Sequence, residues 1–480
     1  MSQTISTIRS MGFFLNGGWS THGAEAVVNS PYDHSVVAVI SEAERDDVEV
    51  AAESAVQSFA ETRRMSSHAR AAILREITET LSDRRDEFAR AVCREAAKPI
   101  KMARIEVDRA INVFRIATEE STRIYGEYLP LDTMETTGGR WGVVRRVPLG
   151  PVFAITPFNF PLNLVAHKIA PAIAAGCPII LKPAPQTPIS ALMLAEIIDN
   201  TAWPDGALAV MPMSNDNASI LVTDDRIKLL TFTGSAAVGW QLKNQAGKKR
   251  VTLELGGNAG AIVHDDADVD YAVQRCIAGG FSYGGQACIS VQRILVHHRI
   301  FDEFKNKLVL GVRKLKCGDP MNENTDIPPL IREQDAVRVV QSIDDAVRAG
   351  AKLLCGGKRN GSMVEPAVLT DTMPNMRVNC AEIFGPVVTV EQYDTFDEAL
   401  TVINNSEYGL QAGLFTRDFR LIQTAFDEIE VGGLIVGDVP TFRMDEMPYG
   451  GVKNSGFGRE GLRYAIEDMT ERKLMVMAVM

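Results

Sequence analysis

From residue 143 onward the sequence alternates short apolar runs with helical stretches, a rhythm that few architectures accommodate. Pro151-Val152-Phe153-Ala154-Ile155, Ile179-Ile180-Leu181, Leu208-Ala209-Val210-Met211 and Leu229-Leu230-Thr231-Phe232 are separated by segments of helical length. That alternation predicts a parallel, doubly wound α/β sheet, whose strands are apolar because helices cover both faces. A second series begins near residue 255, with Ala261-Ile262-Val263, Arg293-Ile294-Leu295-Val296, Val387-Val388-Thr389-Val390 and Gly433-Leu434-Ile435-Val436. A second α/β domain follows from it. Ahead of both, Val48, Ala51, Ala52, Ala55, Val56 and Phe59 recur at helical spacing, as do Ala71, Ile73, Leu74, Ile77 and Leu81. Residues 45–120 therefore read as helices covering a sheet.

A chain of 480 residues with 46% hydrophobic content buries a large core and has the length of two or three domains. Its net charge of −11 argues against nucleic acid, because phosphate recognition needs a basic stripe and Lys248-Lys249-Arg250 stands alone. The seven cysteines are odd in number and scattered, with no Cys-x-x-Cys pair. That pattern predicts a reducing compartment and no structural metal, with His297-His298 read as structural residues in a strand. Met1-Ser2-Gln3-Thr4-Ile5-Ser6 lacks the features of a secretory signal, and no apolar run reaches the roughly 18 residues of a membrane span. A cytoplasmic location without membrane attachment is the expectation.

Three segments carry chemistry. Gly284-Gly285-Gln286-Ala287-Cys288-Ile289-Ser290 presents a glycine-flanked cysteine, a candidate nucleophile. Glu254, in Leu253-Glu254-Leu255-Gly256-Gly257-Asn258, is a candidate base, and Asn159, in Thr156-Pro157-Phe158-Asn159-Phe160-Pro161, a candidate oxyanion donor. Singly, each has a plain structural reading: buried cysteine, turn cap, strand-end charge. Phe232-Thr233-Gly234-Ser235-Ala236-Ala237-Val238-Gly239 follows an apolar strand and opens a helix, as a pyrophosphate site would, although Ser235 would equally serve as a helix cap. Lys182 ends a strand, where doubly wound sheets bind ligands.

Over nearly its whole length the chain resembles the aldehyde dehydrogenase superfamily, in the branch that handles lactaldehyde, glyceraldehyde and semialdehydes. The resemblance implies NAD(P)-dependent oxidation of an aldehyde to a carboxylic acid. Cys288 would form a thiohemiacetal and then a thioester, Asn159 and the Cys288 N–H would hold the oxyanion, and Glu254 would activate the hydrolytic water. A coenzyme-A-acylating enzyme, which typically lacks that base, and a non-catalytic dinucleotide-binding relative are the alternatives. NAD or NADP would lie against Ile155, Thr156, Pro157, Lys182, Gly234, Ser235 and Gly239, with Glu382 and Phe384 of Glu382-Ile383-Phe384-Gly385-Pro386 at the nicotinamide end. Pro185 stands where the family usually carries a glutamate that grips the ribose hydroxyls, so NADP is expected to be tolerated.

The same resemblance divides the chain into a dinucleotide-binding unit (1–121 and 144–254), a catalytic unit (255–465) and an oligomerisation arm (122–143 and 466–480). The apolar C-terminal segment Lys473-Leu474-Met475-Val476-Met477-Ala478-Val479 would extend a neighbouring subunit's sheet in a homodimer or homotetramer. For the substrate, Arg443 is either the partner of an anionic group or an ion pair with Asp445 or Glu446. His167 replaces the arginine that often follows the asparagine in succinate semialdehyde enzymes, and Ser290 replaces their second cysteine, which argues against a strict assignment to that substrate. Phe160, Tyr283 and Phe442 are candidate walls of a small cavity, and Arg104 and Arg109 candidates for its mouth.

Overall fold

The computed structural model describes residues 9–478, so the N-terminal hexapeptide and Val479 lie outside the described residues. Five parallel strands form the centre of an eight-stranded sheet, in the order Arg250–Glu254, Leu229–Thr233, Val152–Ile155, Ile179–Lys182 and Leu208–Val210. The apolar side chains of these strands alternate between two cores. Val152, Ala154, Ile179 and Leu181 pack with the helices Ser67–Asp83, Arg85–Ala96 and Ile100–Glu120, while Phe153, Ile180 and Ala209 pack on the opposite face with Arg45–Thr62. Burial on both faces is why these strands read as unbroken apolar runs. The expected helices are present over 45–120, although Val56 is 44% exposed and faces solvent.

The chain builds this sheet outward from Val152–Ile155 in one direction, then returns to place Leu229–Thr233 on the other side. A crevice at such a reversal, beyond the carboxyl ends of the strands, is where open α/β sheets bind ligands. Asn163–Ala175, the helix after the first of these strands, is buried along its whole length, including His167 and Lys168.

A seven-stranded sheet follows, ordered Lys352–Cys355, Ala367–Thr370, Val387–Tyr393, Val291–His297, Ala259–Val263, Gln411–Phe415 and Gly433–Val436, parallel except for the first pair. A third sheet pairs Thr470–Ala478 with Arg140–Pro148 and that strand with Glu127–Pro130. The sheets cross the sequence-based boundaries in two places. Arg140–Pro148 runs past residue 143, and Gly456–Phe457 leaves the second unit to pair with Arg250–Glu254 in the first sheet. Phe13–Leu15 and Gly18–Ser20, unread in the sequence, complete the other edge of that sheet. No helix among the described residues is long and apolar enough to cross a membrane.

Candidate active site

One cavity of about 520 Å³ lies between the two large sheets. Pro157, Asn159 and Phe160 line it from the turn after Val152–Ile155, Gly234 and Ser235 from the turn after Leu229–Thr233, Glu254 from the end of the next strand, and Cys288 from the loop before Val291–His297. Segments distant in sequence thus converge because parallel strands deliver their carboxyl ends to one side.

The Cys288 loop is shaped by three successive left-handed residues, Tyr283, Gly284 and Gly285, with φ of 52°, 63° and 73°. Gly285 is required twice over, since a Cβ there would stand 2.1 Å from the Gly385 carbonyl oxygen. Gln286 then locks the loop: its side chain donates to Tyr283 O (3.2 Å) and accepts from Ile331 N (3.0 Å). Across the cavity, a Cβ on Gly257 would meet the Cys288 carbonyl at 2.5 Å, so the Gly256-Gly257 pair permits the two segments to touch.

The Cys288 thiol is 3.7 Å from Glu254 Oε1, to which it donates, and 3.1 Å from the Tyr449 hydroxyl. Asn159 Nδ2 donates to Gln286 O at 3.0 Å, which engages one of its two N–H bonds and leaves the other free. The Cys288 N–H has no intramolecular acceptor among the described residues. Two donors are thus available beside the sulfur.

Burial, then the neighbouring Glu460 charge, pushes the Glu254 carboxyl up to about 8. Glu460, against the effect of burial, is held well below the usual range, first by the Lys168 charge, so of the two carboxyls it is Glu254 that titrates near neutrality. Lys168 Nζ bonds Glu460 and also Thr231 Oγ1 (2.9 Å). Burial, followed by Glu254, pushes the Cys288 thiol well up, so at rest it is a neutral thiol.

Arg443 lines the cavity, and its side chain is 7% exposed. Its guanidinium contacts Glu254 Oε1 (3.4 Å) and Glu460 Oε2 (3.1 Å) and lies 3.7 Å over the Tyr449 ring. Neither Asp445 nor Glu446 is its partner, as the sequence had suggested. Asp445 instead accepts from Arg109 Nη2 (2.6 Å) and bonds His167 Nε2 (3.0 Å). His167 therefore sits behind the wall and is absent from the lining, a correction to its expected place, whereas Arg109 is exposed to the cavity. Arg104 pairs with Glu323 away from the site, and Phe442 is not in the lining; Phe160 and Tyr283 are. The buried Nε atoms of both Arg109 and Arg443 have no hydrogen-bond partner.

At the cofactor end, Ser235 occupies the N-cap of the helix Ala236–Gln245 but makes no capping bond. The first-turn amides are left to an outside acceptor, which fits a pyrophosphate better than a self-capped helix does. Lys182, 4% exposed, ends its strand beside Ile155, and its carbonyl accepts from Thr156 N (3.1 Å). Burial draws its ammonium below the usual value, Glu42 opposing, and no hydrogen-bonded carboxylate faces it among the described residues. Glu382 and Phe384 line the cavity; Glu382 accepts from Gly257 N (3.0 Å), and burial pushes it up to about 7. Gly239 lies buried within the helix that Ser235 opens. These residues fit a dinucleotide.

Sequence reasoning missed Tyr449, Glu460, Lys168 and Asp445. Tyr449 lies in the glycine-rich run Pro448-Tyr449-Gly450-Gly451, which reads as a turn, and the other three carry no local motif. Among the described residues no group of three or more His, Cys, Asp or Glu side chains is arranged to hold a metal.

The sequence matches the aldehyde dehydrogenase family over residues 19–475. It is 44% identical over 477 residues to 3-sulfolactaldehyde dehydrogenase of Priestia aryabhattai, covering 99% of each chain. Aldehyde dehydrogenase 21 from Physcomitrella patens, solved with the reaction product succinate, superposes with a TM-score of 0.97 at 45% identity, covering 98% of this chain and 99% of that one. Glyceraldehyde-3-phosphate dehydrogenase GapN from Methanocaldococcus jannaschii, complexed with NADP, gives a TM-score of 0.92 at 36% identity over 95% of this chain and 100% of that one.

Proposed function

The chain belongs to the aldehyde dehydrogenase family and is an NAD(P)-dependent enzyme, and from that premise we propose that it oxidises a short, anionic aldehyde to its carboxylic acid with Cys288 as nucleophile. The observation that carries the chemistry is the meeting of Cys288, Glu254 and Asn159 in one cavity, with sulfur and carboxylate 3.7 Å apart.

Glu254 takes the thiol proton and the sulfur attacks the carbonyl carbon. The second Asn159 N–H and the Cys288 N–H receive the oxygen as its charge develops, and losing one such donor costs about 3–4 kcal/mol in reactions of this type. NAD(P), held by Lys182, the Ser235 helix end and Glu382, supplies the hydride acceptor. Glu254 releases the thiol proton to solvent, and the thioester left on Cys288 is then hydrolysed by a water whose proton passes to the regenerated carboxylate. A carboxyl whose pKa is raised to about 8 is matched to accepting and releasing protons near neutrality. The presence of that base disfavours a coenzyme-A-acylating reaction.

The anionic preference rests on the unpartnered Nε donors of Arg109 and Arg443. Buried donors of this kind call for an acceptor, and a carboxylate, sulfonate or phosphate supplies several oxygens. The relatives named for sulfolactaldehyde and glyceraldehyde 3-phosphate, and the one solved with succinate, support the same class. Initial rates at 340 nm with succinate semialdehyde, glyceraldehyde 3-phosphate, lactaldehyde, hexanal and benzaldehyde test it. A higher kcat/KM for the anions is expected, and preference for hexanal would overturn the substrate reading. Turnover retained by Cys288→Ala would overturn the mechanism.

Three further parts belong to the proposal. The units 1–121 with 144–254, 255–465, and 122–143 with 466–480 serve cofactor, catalysis and assembly. The strand Thr470–Ala478, exposed beyond its first residue, pairs with a second copy in a homodimer or homotetramer. The enzyme works in the cytoplasm, in keeping with seven cysteines none of which is paired.

A further inference from the structure

We propose that the Tyr449 hydroxyl is a catalytic hydrogen-bond donor to the Cys288 sulfur, sharing the negative charge that sulfur carries before attack and again on leaving the thioester. The proposal rests on the reading of Cys288 as the nucleophile.

The phenol is fixed on every side. Tyr449 is 1% exposed, its backbone bonds Glu460 in both directions (3.0 and 2.6 Å), and its ring packs with Ile289 and Leu410. Its hydroxyl lies 3.1 Å from the sulfur and has no other hydrogen-bond partner among the described residues. Burial, then the Cys288 and Glu254 charges, pushes the phenol well above its ordinary range, so it keeps its proton. A protonated phenol facing a thiolate has one role open to it, that of donor. The Arg443 guanidinium over the ring face draws electron density from the phenol and strengthens that donor.

The site needs such a group. Once its proton has passed to Glu254 the sulfur holds a full negative charge in a buried site, and the Arg443 cation is already engaged with Glu254 and Glu460. In the step proposed, the S–H bond breaks, its proton goes to Glu254 Oε1 and its electron pair stays on sulfur. Tyr449 keeps its own proton and donates into that pair. As the S–C bond forms, the carbonyl π pair moves to oxygen, towards Asn159 and the Cys288 N–H. When the hydrated thioester collapses, the C–S bond breaks, the pair returns to sulfur and the same hydroxyl receives it.

Tyr449→Phe removes one oxygen and leaves the ring. In the full-length enzyme, the pH dependence of Cys288 alkylation by iodoacetamide and the pre-steady-state burst of reduced nicotinamide are measured against wild type, with NADP binding as the control. The alkylation midpoint should rise and the burst rate fall by about 10- to 100-fold, the worth of a hydrogen bond to a charged group, with NADP affinity unchanged. An alkylation profile and burst rate equal to wild type overturn the proposal. Cys288→Ala separates the two readings: if it is inactive while Tyr449→Phe is fully active, only the donor role fails, whereas an active Cys288→Ala removes both. Tyr449→Met, which fills the space without a donor, gives the same readouts should the phenylalanine variant not fold, and equal rates in it also overturn the proposal.

Discussion

At one end of the cavity, Thr233, Gly234 and Ser235 are consecutive residues at one strand end; at the other, Arg109, Tyr283 and the pair Arg443 and Tyr449 come from three separate segments. The first arrangement is made by backbone: a strand stops, a helix starts, and free amides point into the crevice. The second is held by side-chain pairs, Lys168 with Glu460, both buried, and half-buried Arg109 with buried Asp445. A site made of backbone tolerates single substitutions, because no one side chain carries it. A site made of paired charges does not, since removing one partner leaves the other buried and alone.

The largest effect expected from this contrast is on stability. Lys168→Met strips Glu460 of one of its two cations and leaves it to Arg443 alone, and breaking a buried pair in this way costs about 3–5 kcal/mol. Ser235→Ala, at a cap that makes no bond, should cost under about 0.5 kcal/mol. Chemical denaturation of the two variants measures both, and equal losses would end the distinction between the two regions.

The next effect is on pH dependence. A Glu254 carboxyl raised to about 8 is mostly protonated at pH 6, where it cannot accept the proton of water. Under conditions where thioester hydrolysis limits turnover, kcat should fall about tenfold per unit as pH drops below 8. The same shift lowers stability as pH rises: the folded state binds the extra proton, so its advantage is complete below the ordinary glutamate value and is lost through pH 8. A kcat profile already flat at pH 6 would mean that neither burial nor Glu460 raises Glu254 in the working enzyme.

Asp445→Asn probes the substrate end alone. It removes the charge that aims Arg109 while keeping a hydrogen-bonding side chain beside His167. KM for an anionic aldehyde should rise about tenfold, the worth of a charge-assisted contact, with kcat little changed and benzaldehyde kinetics unaffected. Equal changes for both substrates would assign Asp445 to packing.

How much of this was legible in the sequence follows the same division. The strands of both sheets, the Cys288, Glu254 and Asn159 segments and the Ser235 turn could be read because each is a local pattern of apolar runs and glycines. The partners of Arg443 could not: Asp445 is two residues away and looked adequate, yet it turns to Arg109 and His167, while Glu460 reaches Arg443 from the far side of the Gly450-Gly451 turn. His167 was placed in the pocket by its match to the arginine of succinate semialdehyde enzymes, but a helix buried on all sides presents only some residues to a cavity. Burial converts long-range proximity into charge pairing, and periodicity carries no record of it.

The smallest effect should come from Pro185→Glu. Pro185 is exposed, in a turn closed by Thr187 N donating to Ala184 O at 3.1 Å, and its missing N–H is not needed there. Glutamate fits the same turn and brings a carboxylate to the carboxyl end of the Lys182 strand. That charge would accept hydrogen bonds from ribose hydroxyls and repel a 2′-phosphate, whereas proline does neither. The ratio of kcat/KM for NADP to that for NAD should fall about 5- to 10-fold, a modest change because the site is solvated and the charge screened. If the ratio stays constant, the 2′ position is read elsewhere, with Glu42, whose charge acts on Lys182, as the next residue to replace.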